Sequence, residues 1–160
     1  MVRRITADKI LDTEESLANF LNGTKHPLVF TNGCFDLLHR GHICYLEEAS
    51  ALGKVLLVAL NDDASIKRLN KGTGRPINSL EDRMAVIAAL QAVDAVVGFT
   101  EDTPLNLIER IKPDVLVKGG DWPVTSIVGA TEVISWGGTV HSIPFQHQRS
   151  TSELIRRIRQ

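Results

Sequence analysis

Cysteine is nearly missing from this chain: Cys34 and Cys44 are the only two. The opening stretch, MVRRITADKILDTEES, has no apolar core and turns acidic at once, so it does not read as a secretory signal. Two thiols without such a signal exclude a disulfide scaffold and predict reduced cysteines in a cytoplasm. Long apolar runs are also missing, and nothing approaches the roughly 20 residues a membrane-spanning helix needs. No sign of charge dominates. Lys plus Arg number 18 against 19 Asp plus Glu, a net charge of −1, so the basic excess usual in a nucleic-acid-binding domain is not there. Internal repeats, low-complexity tracts and long linkers are absent as well. What remains is 160 residues, 43% hydrophobic and 23% charged, which suits one soluble domain around one core.

Short apolar, β-rich runs lie at 27–31 (PLVFT), 54–60 (KVLLVAL), 94–99 (DAVVGF), 114–118 (DVLVK) and 139–145 (TVHSIPF). Pro144 marks the last of them as an edge strand or a strand end. Between them, helical spacing and start signals predict helices over 41–53, 62–69, 79–91, 103–111 and 130–136. A further helix over 13–22 belongs to an N-terminal helical extension, residues 1–26, and another over 150–160 closes the chain. Ser79 with Asp82 and Ser150 with Glu153 read as capping-box starts. Thr103 followed by Pro104 reads as an N-cap and first helical residue. Continuous apolar strands separated by helices predict an α/β fold, a Rossmann-like, doubly wound five-stranded parallel sheet with helices on both faces, in a single domain over 1–160.

Histidine is scarce, five residues in all, yet two of them fall three apart in FTNGCFDLLHRGH, residues 30–42. In a doubly wound sheet this segment leaves a strand at its carboxyl end, where ligands bind, and enters a helix near Gly41 and His42. Helix-start amides attract anions, imidazoles add donors, and Gly33 and Gly41 allow close approach of backbone to ligand. The segment therefore reads as a phosphate grip. Three other readings compete: a metal site of Cys34, Asp36, His39 and His42 with a partner from elsewhere, plain surface and helix-start histidines, or a Cys34 nucleophile. The basic residues are unevenly placed, with Lys67, Arg68, Lys71, Arg75 and Arg83 in one group and Arg149, Arg156, Arg157 and Arg159 in another. Local positive charge on a near-neutral chain fits a small anionic ligand.

GCFDLLHRGH resembles the Gly-x-Phe-Asp-x-x-His-x-Gly-His signature of the cytidylyltransferase-like nucleotidyltransferases. RSTSELIRRI, residues 149–158, is similar to the Ser/Thr-rich start of that family's last helix, with Arg149 where the usual wording differs. VKGGDW, residues 117–122, matches the family loop that helps form the nucleotide pocket. The resemblance implies that His39 and His42 lie along the α-phosphate and the bridging oxygen of the leaving pyrophosphate. It also implies that Ser150, Thr151 and Ser152 hold the β- and γ-phosphates. Nucleotide contacts are then expected from Thr31, Asn32, Gly33, Cys34, Phe35 and Gly41, from Lys118, Gly119, Gly120 and Asp121, and from Arg149.

KGGDW, together with LNDDASIKRLNKGTGRPINSLEDR beginning at Leu60, is similar to heptose 1-phosphate adenylyltransferases, and the likeness runs over nearly the whole chain from Leu28. That resemblance implies AMP transfer from ATP to D-glycero-β-D-manno-heptose 1-phosphate, giving ADP-heptose and pyrophosphate for lipopolysaccharide core synthesis. Lys71 is then expected at the reacting phosphates, and Asp36, Arg75 and Arg83 at the sugar phosphate. Mg²⁺ is expected to travel with ATP, held mainly by phosphates, with no protein ligands assigned. A homodimer is expected, with no nucleic-acid or membrane partner. The chain reads as a stand-alone transferase, its sugar phosphorylated by a separate kinase. Alternatives kept open are a cytidylyltransferase for glycerol or ethanolamine phosphate, a pantetheine-phosphate adenylyltransferase, and a nucleotide-binding module without chemistry.

Overall fold

The computed structural model describes residues 5–69, 74–144, 150–158 and 160. Its strands are β1 (Ile10–Leu11), β2 (Leu28–Gly33), β3 (Val55–Asn61), β4 (Ala95–Phe99), β5 (Val115–Gly119) and β6 (Thr139–Ile143). Its α-helices are α1 (Glu14–Gly23), α2 (Arg40–Ser50), α3 (Asp63–Arg68), α4 (Leu80–Ala88), α5 (Leu105–Ile111), α6 (Ala130–Ser135) and α7 (Thr151–Ile158). All strand pairs are parallel, in the order β1-β4-β3-β2-β5-β6.

Burial explains the sheet. Along β3, Leu56, Val58 and Leu60 pack on one face with α2 and α4, while Leu57 and Ala59 pack on the other with α1, α5 and α6. In β2, Val29 faces the first cluster, and Leu28 and Phe30 face the second. Both faces are covered, so these strands carry no polar alternation. Full burial of one such Val or Leu contributes about 1.5–3 kcal/mol, enough for a handful of strand residues to set the layering.

The sheet has six strands rather than the expected five. The additional one is β1, where Ile10 pairs with Val96 and Leu11 with Val97. Two residues show no period, so the sequence offers no strand signal there. Their docking is a tertiary effect: the Lys9 ammonium donates to the Leu90 and Val93 carbonyls at 3.1 and 2.7 Å. The N-terminal extension is thus helix plus strand. Helix α5 starts one residue later than Thr103 and Pro104 suggest, with Pro104 as its N-cap. Ser79 caps α4 as read, accepting from the Asp82 amide at 3.2 Å. β6 lies at an edge and stops at Ile143, just before Pro144.

Strand order reverses at β2, which has β3 on one side and β5 on the other. The crevice beyond the carboxyl ends of β2 and β5 is therefore the topological switch point, where such sheets take their ligands. No helix among the described residues is long and apolar enough to cross a membrane.

Candidate active site

A cavity of about 550 Å³ opens at that switch point. Its walls come from the segment after β2 (Asn32 to Asp36, His39, His42), the segment after β5 (Lys118 to Trp122), Tyr45, Arg75, and Ser150 to Ser152 at the start of α7. Residues far apart in sequence meet here because parallel strands bring their carboxyl ends to one edge.

The segment after β2 is shaped by backbone. Phe35 adopts φ 45°, a left-handed conformation rare for a bulky residue. Its ring then lies over Gly33, where an added Cβ would come within 2.8 Å of a ring carbon. The same ring tilts against His42, centroids 5.5 Å apart. Gly33 is thus required by the approach of Phe35.

His39 is the N-cap of α2. Its Nδ1 accepts from the Gly41 amide at 3.1 Å, and its own amide donates to His42 Nδ1 at 3.3 Å. Each ring therefore uses Nδ1 as an acceptor, which puts the proton of a neutral imidazole on Nε2. The two rings sit 4.0 Å apart with 31° between their planes. Burial, then the neighbouring His39, then Arg75, lower the His42 pKa from the ordinary 6.5 to about 4. At neutral pH His42 is an uncharged, oriented hydrogen-bond donor. One expectation changes in form. The Gly41 and His42 amides are both taken inside the protein, the latter by the His39 carbonyl at 2.9 Å. These α2 amides are therefore not open to an anion, and the two imidazoles line the cavity in their place.

Asp36 does not present a free carboxylate. Its side chain is fully buried and accepts from the Ile77 amide at 2.9 Å, the Asn78 amide at 3.0 Å and Arg75 Nε at 3.1 Å. It straps the 75–78 segment down and aims Arg75 at the cavity wall, where that side chain is 9% exposed. Arg83 is not on the wall. It is 1% exposed, and its guanidinium donates to the Cys34 carbonyl at 2.7 Å, Asp63 at 2.7 Å and the Asn78 carbonyl at 3.1 Å. Its place is behind the loop it supports. Arg68 is bonded to Asp102 and to the Thr100 carbonyl, both at 2.6 Å, away from the cavity. Lys71 and Arg149 lie outside the described residues.

Thr31 and Gly41 are buried and do not line the cavity. Thr31 lies beneath it, its hydroxyl 2.5 Å from that of Tyr45, which also reaches the Val117 carbonyl at 3.3 Å. This ties β2, α2 and β5 together under the floor. Cys34 is buried in the wall with its sulfur 3.9 Å from Asn61 Oδ1. At α7, Ser150 Oγ accepts from the Glu153 amide at 3.1 Å, and Thr151 Oγ1 donates to the Leu37 carbonyl at 3.0 Å. The helix start is thereby pinned to the loop that carries the histidines. First-turn amides of such a helix have no intrahelical partner and suit an anion.

A second cavity of about 250 Å³ adjoins the first. It is walled by Asn61, Asp102, Thr103, Pro104 and Ser126 to Val128, and shares Asn32, Lys118 and Trp122 with the larger one. The sequence reading missed Asn61, Asp102, Thr103, Trp122 and Tyr45. Asn61 and Thr103 had a usable signal, since they end or follow β3 and β4 on the ligand-binding edge. Trp122 has its indole N–H bonded to the Gly119 carbonyl at 3.1 Å. Gly120 sits at φ 118°, a conformation that residues with a side chain rarely adopt, and a Cβ there would come within 2.5 Å of the indole nitrogen.

The geometry does not fit the metal reading. Among the described residues no three His, Cys, Asp or Glu side chains converge, both histidine Nδ1 atoms hold backbone amides, and Asp36 is saturated.

Comparison with known proteins gives the family and the fold. Residues 30–157 match the model of the family described as cytidylyltransferase-like. A D-beta-D-heptose 1-phosphate adenylyltransferase of Bordetella bronchiseptica is 50% identical over 153 residues, 95% of this chain and 94% of that protein. The bifunctional protein HldE of Pseudomonas syringae pv. syringae is 57% identical over 135 residues, 84% of this chain but 28% of that protein's length. Among solved structures, a lipopolysaccharide core biosynthesis protein from Thermoplasma volcanium GSS1 superposes with TM-score 0.61 at 29% identity. The match covers 76% of this chain and 98% of that one.

Proposed function

This chain belongs to the cytidylyltransferase-like family, and on that premise we propose that it is an adenylyltransferase. It transfers AMP from ATP to D-glycero-β-D-manno-heptose 1-phosphate and releases pyrophosphate, supplying ADP-heptose for lipopolysaccharide core assembly. The observation that carries this reading is the paired imidazoles. Backbone amides saturate both Nδ1 atoms, so both Nε2–H groups are preset as donors beside a cavity at the switch point. The relative named for this reaction, 50% identical over nearly the full length of both chains, supports the substrate.

ATP occupies the larger cavity, its β- and γ-phosphates at the start of α7 and its α-phosphate beside His39 and His42. The sugar occupies the smaller cavity. Asn61, Asp102, Thr103 and Ser126 suit its hydroxyls, and Trp122 and Pro104 its apolar face. An oxygen of the sugar phosphate attacks the α-phosphorus. The bond to the bridging oxygen breaks, and pyrophosphate leaves with the electron pair. The nucleophile is already an anion, so no general base is needed. Alignment of two mutually repelling anions and stabilisation of the transferring group remain for the protein. A neutral His42 serves this as a donor that need not lose a proton. Mg²⁺ brought with ATP would be held by phosphates and water, with no residue of this chain assigned to it, and would screen the charge that opposes attack.

A pyrophosphate-release panel tests the reading. ATP with heptose 1-phosphate is expected to react. CTP with glycerol or ethanolamine phosphate is expected to be at least about a hundredfold slower. Nucleotide binding without any pyrophosphate would mark a non-catalytic module and overturn the proposal. The same reading extends to a cytoplasmic homodimer fed by a separate sugar kinase; sedimentation velocity tests the dimer.

A further inference from the structure

Among the described residues, the two cavities share three wall residues, Asn32, Lys118 and Trp122. A transfer between a nucleotide in one and a sugar phosphate in the other must take place at that junction. Resting on the adenylyltransferase reading, we propose that Lys118 is a catalytic residue that holds the attacking phosphate against the α-phosphate and neutralises the charge of both.

Charge distribution points to it. Among the described residues, Lys118 is the sole cation on the wall of the smaller cavity. The rest of that wall is neutral apart from Asp102, whose charge is paired with Arg68 at 2.6 Å. Among the described residues of that wall, Lys118 at the junction alone offers a sugar phosphate a counter-charge, which turns the phosphate toward the larger cavity. Position points the same way. Lys118 sits near the carboxyl end of β5, one residue beyond the Thr31–Val117 rung. Its ammonium donates to Asn32 Oδ1 at 3.2 Å across the strands. Asn32 is the positioning residue, fixing a flexible four-carbon stem so that the charge stays between the two sites. A lysine suits the task because it is a compact point charge that can follow an oxygen as its bonding changes. In the step itself, a new bond forms from the sugar-phosphate oxygen to the α-phosphorus, and the α–β bridging bond breaks. Pyrophosphate takes the electron pair, and no proton moves. Lys118 stays bound to non-bridging oxygens throughout.

Lys118→Met tests this, with ATP and heptose 1-phosphate as substrates and pyrophosphate as the readout. Turnover is expected to fall by about a hundredfold or more, while the affinity for a non-hydrolysable ATP analogue, which keeps its contacts at the histidines and the start of α7, falls by no more than about tenfold. Affinity for heptose 1-phosphate should fall at least about tenfold, with that for unphosphorylated heptose unchanged, because only the phosphate has lost its partner. Lys118→Arg restores the charge and should recover at least about tenfold of the lost turnover. Turnover within about threefold of the parent in Lys118→Met would overturn the proposal. So would equal losses of ATP affinity and turnover, or Lys118→Arg no better than Lys118→Met. If the unaltered protein releases no pyrophosphate, the adenylyltransferase reading itself fails; if it does and Lys118→Met matches it, only the role of Lys118 fails.

Discussion

At the amino ends of the strands, carboxylates are used to hold backbone. Asp114 accepts from the Leu28 amide at 2.6 Å and from His26 Nδ1 at 2.5 Å, and Asp94 accepts from the Leu56 amide at 2.9 Å. At the carboxyl ends the pattern is different. Phe35 is held in a left-handed conformation, Gly120 sits at φ 118°, and imidazole, guanidinium and ammonium groups face open cavities. One rim is built to close the fold and the other to receive a ligand; each holds one non-glycine residue in the left-handed region, Lys112 ending α5 at the first and Phe35 beside the cavity at the second. The division is not complete, because Asp36 and Arg83 lie at the carboxyl rim yet serve the loop rather than the cavity.

Arg83 is where the comparison is most easily broken. Arg83→Met removes three donors and leaves the Cys34 and Asn78 carbonyls without them. Each orphaned acceptor costs about 1–3 kcal/mol, so an overall loss of roughly 3–5 kcal/mol is expected. Urea unfolding measures it. If stability is unchanged and only the KM for the sugar phosphate rises, Arg83 belongs with the cavity. His42→Ala should show the opposite signature. Loss of one oriented donor costs about 2.7–4 kcal/mol in the barrier, a hundredfold or more in turnover, with a smaller stability loss of about 1–2 kcal/mol at pH 7.5 because the His39 amide loses its acceptor. At the other rim, Asp114→Ala leaves the Leu28 amide unpaired and should cost about 2 kcal/mol of stability, with kcat/KM within about twofold of the parent. A matching loss of activity there would blur the two rims.

Much of the carboxyl rim was legible in the sequence, because its elements carry local signals. A strand followed by Gly33, two histidines and Gly41 predicts both the switch-point crevice and its donors, and capping serines locate α4 and α7. What was not legible depends on pairing at long range. Nothing in sequence spacing shows that Asp36 bonds the amides of Ile77 and Asn78, 41 and 42 residues away. Nor does it show that Arg83 reaches the Cys34 carbonyl across 49 residues. Both look like free charges until the loop is folded over them. β1 was missed because two residues have no period, and the smaller cavity because its walls come from separate segments. His39 was expected to flank amides that bind phosphate; its own Nδ1 instead takes the Gly41 amide, a choice set by side-chain rotamer.

The smallest effect concerns protons rather than substitutions. His42 titrates near 4 in the fold against 6.5 ordinarily, with burial the main cause. The folded state therefore binds fewer protons than the unfolded chain between those values, and stability rises with pH across that window. The contribution is fully present above about pH 6.5 and is lost as pH falls toward 4. For a shift of this size the linkage relation gives a loss of about 1 kcal/mol between pH 7.5 and pH 5.5. His42→Gln removes the titrating group, so its urea midpoint should fall less than that of the parent over the same interval. The amino rim supplies the control, since Asp114→Ala keeps His42 and should keep the parent's extra acid sensitivity. If His42→Gln and the parent lose equal stability, the imidazole is not shielded from water. The donor at the carboxyl rim would then become charged on mild acidification, and turnover, not only stability, would change with pH between 5.5 and 6.5.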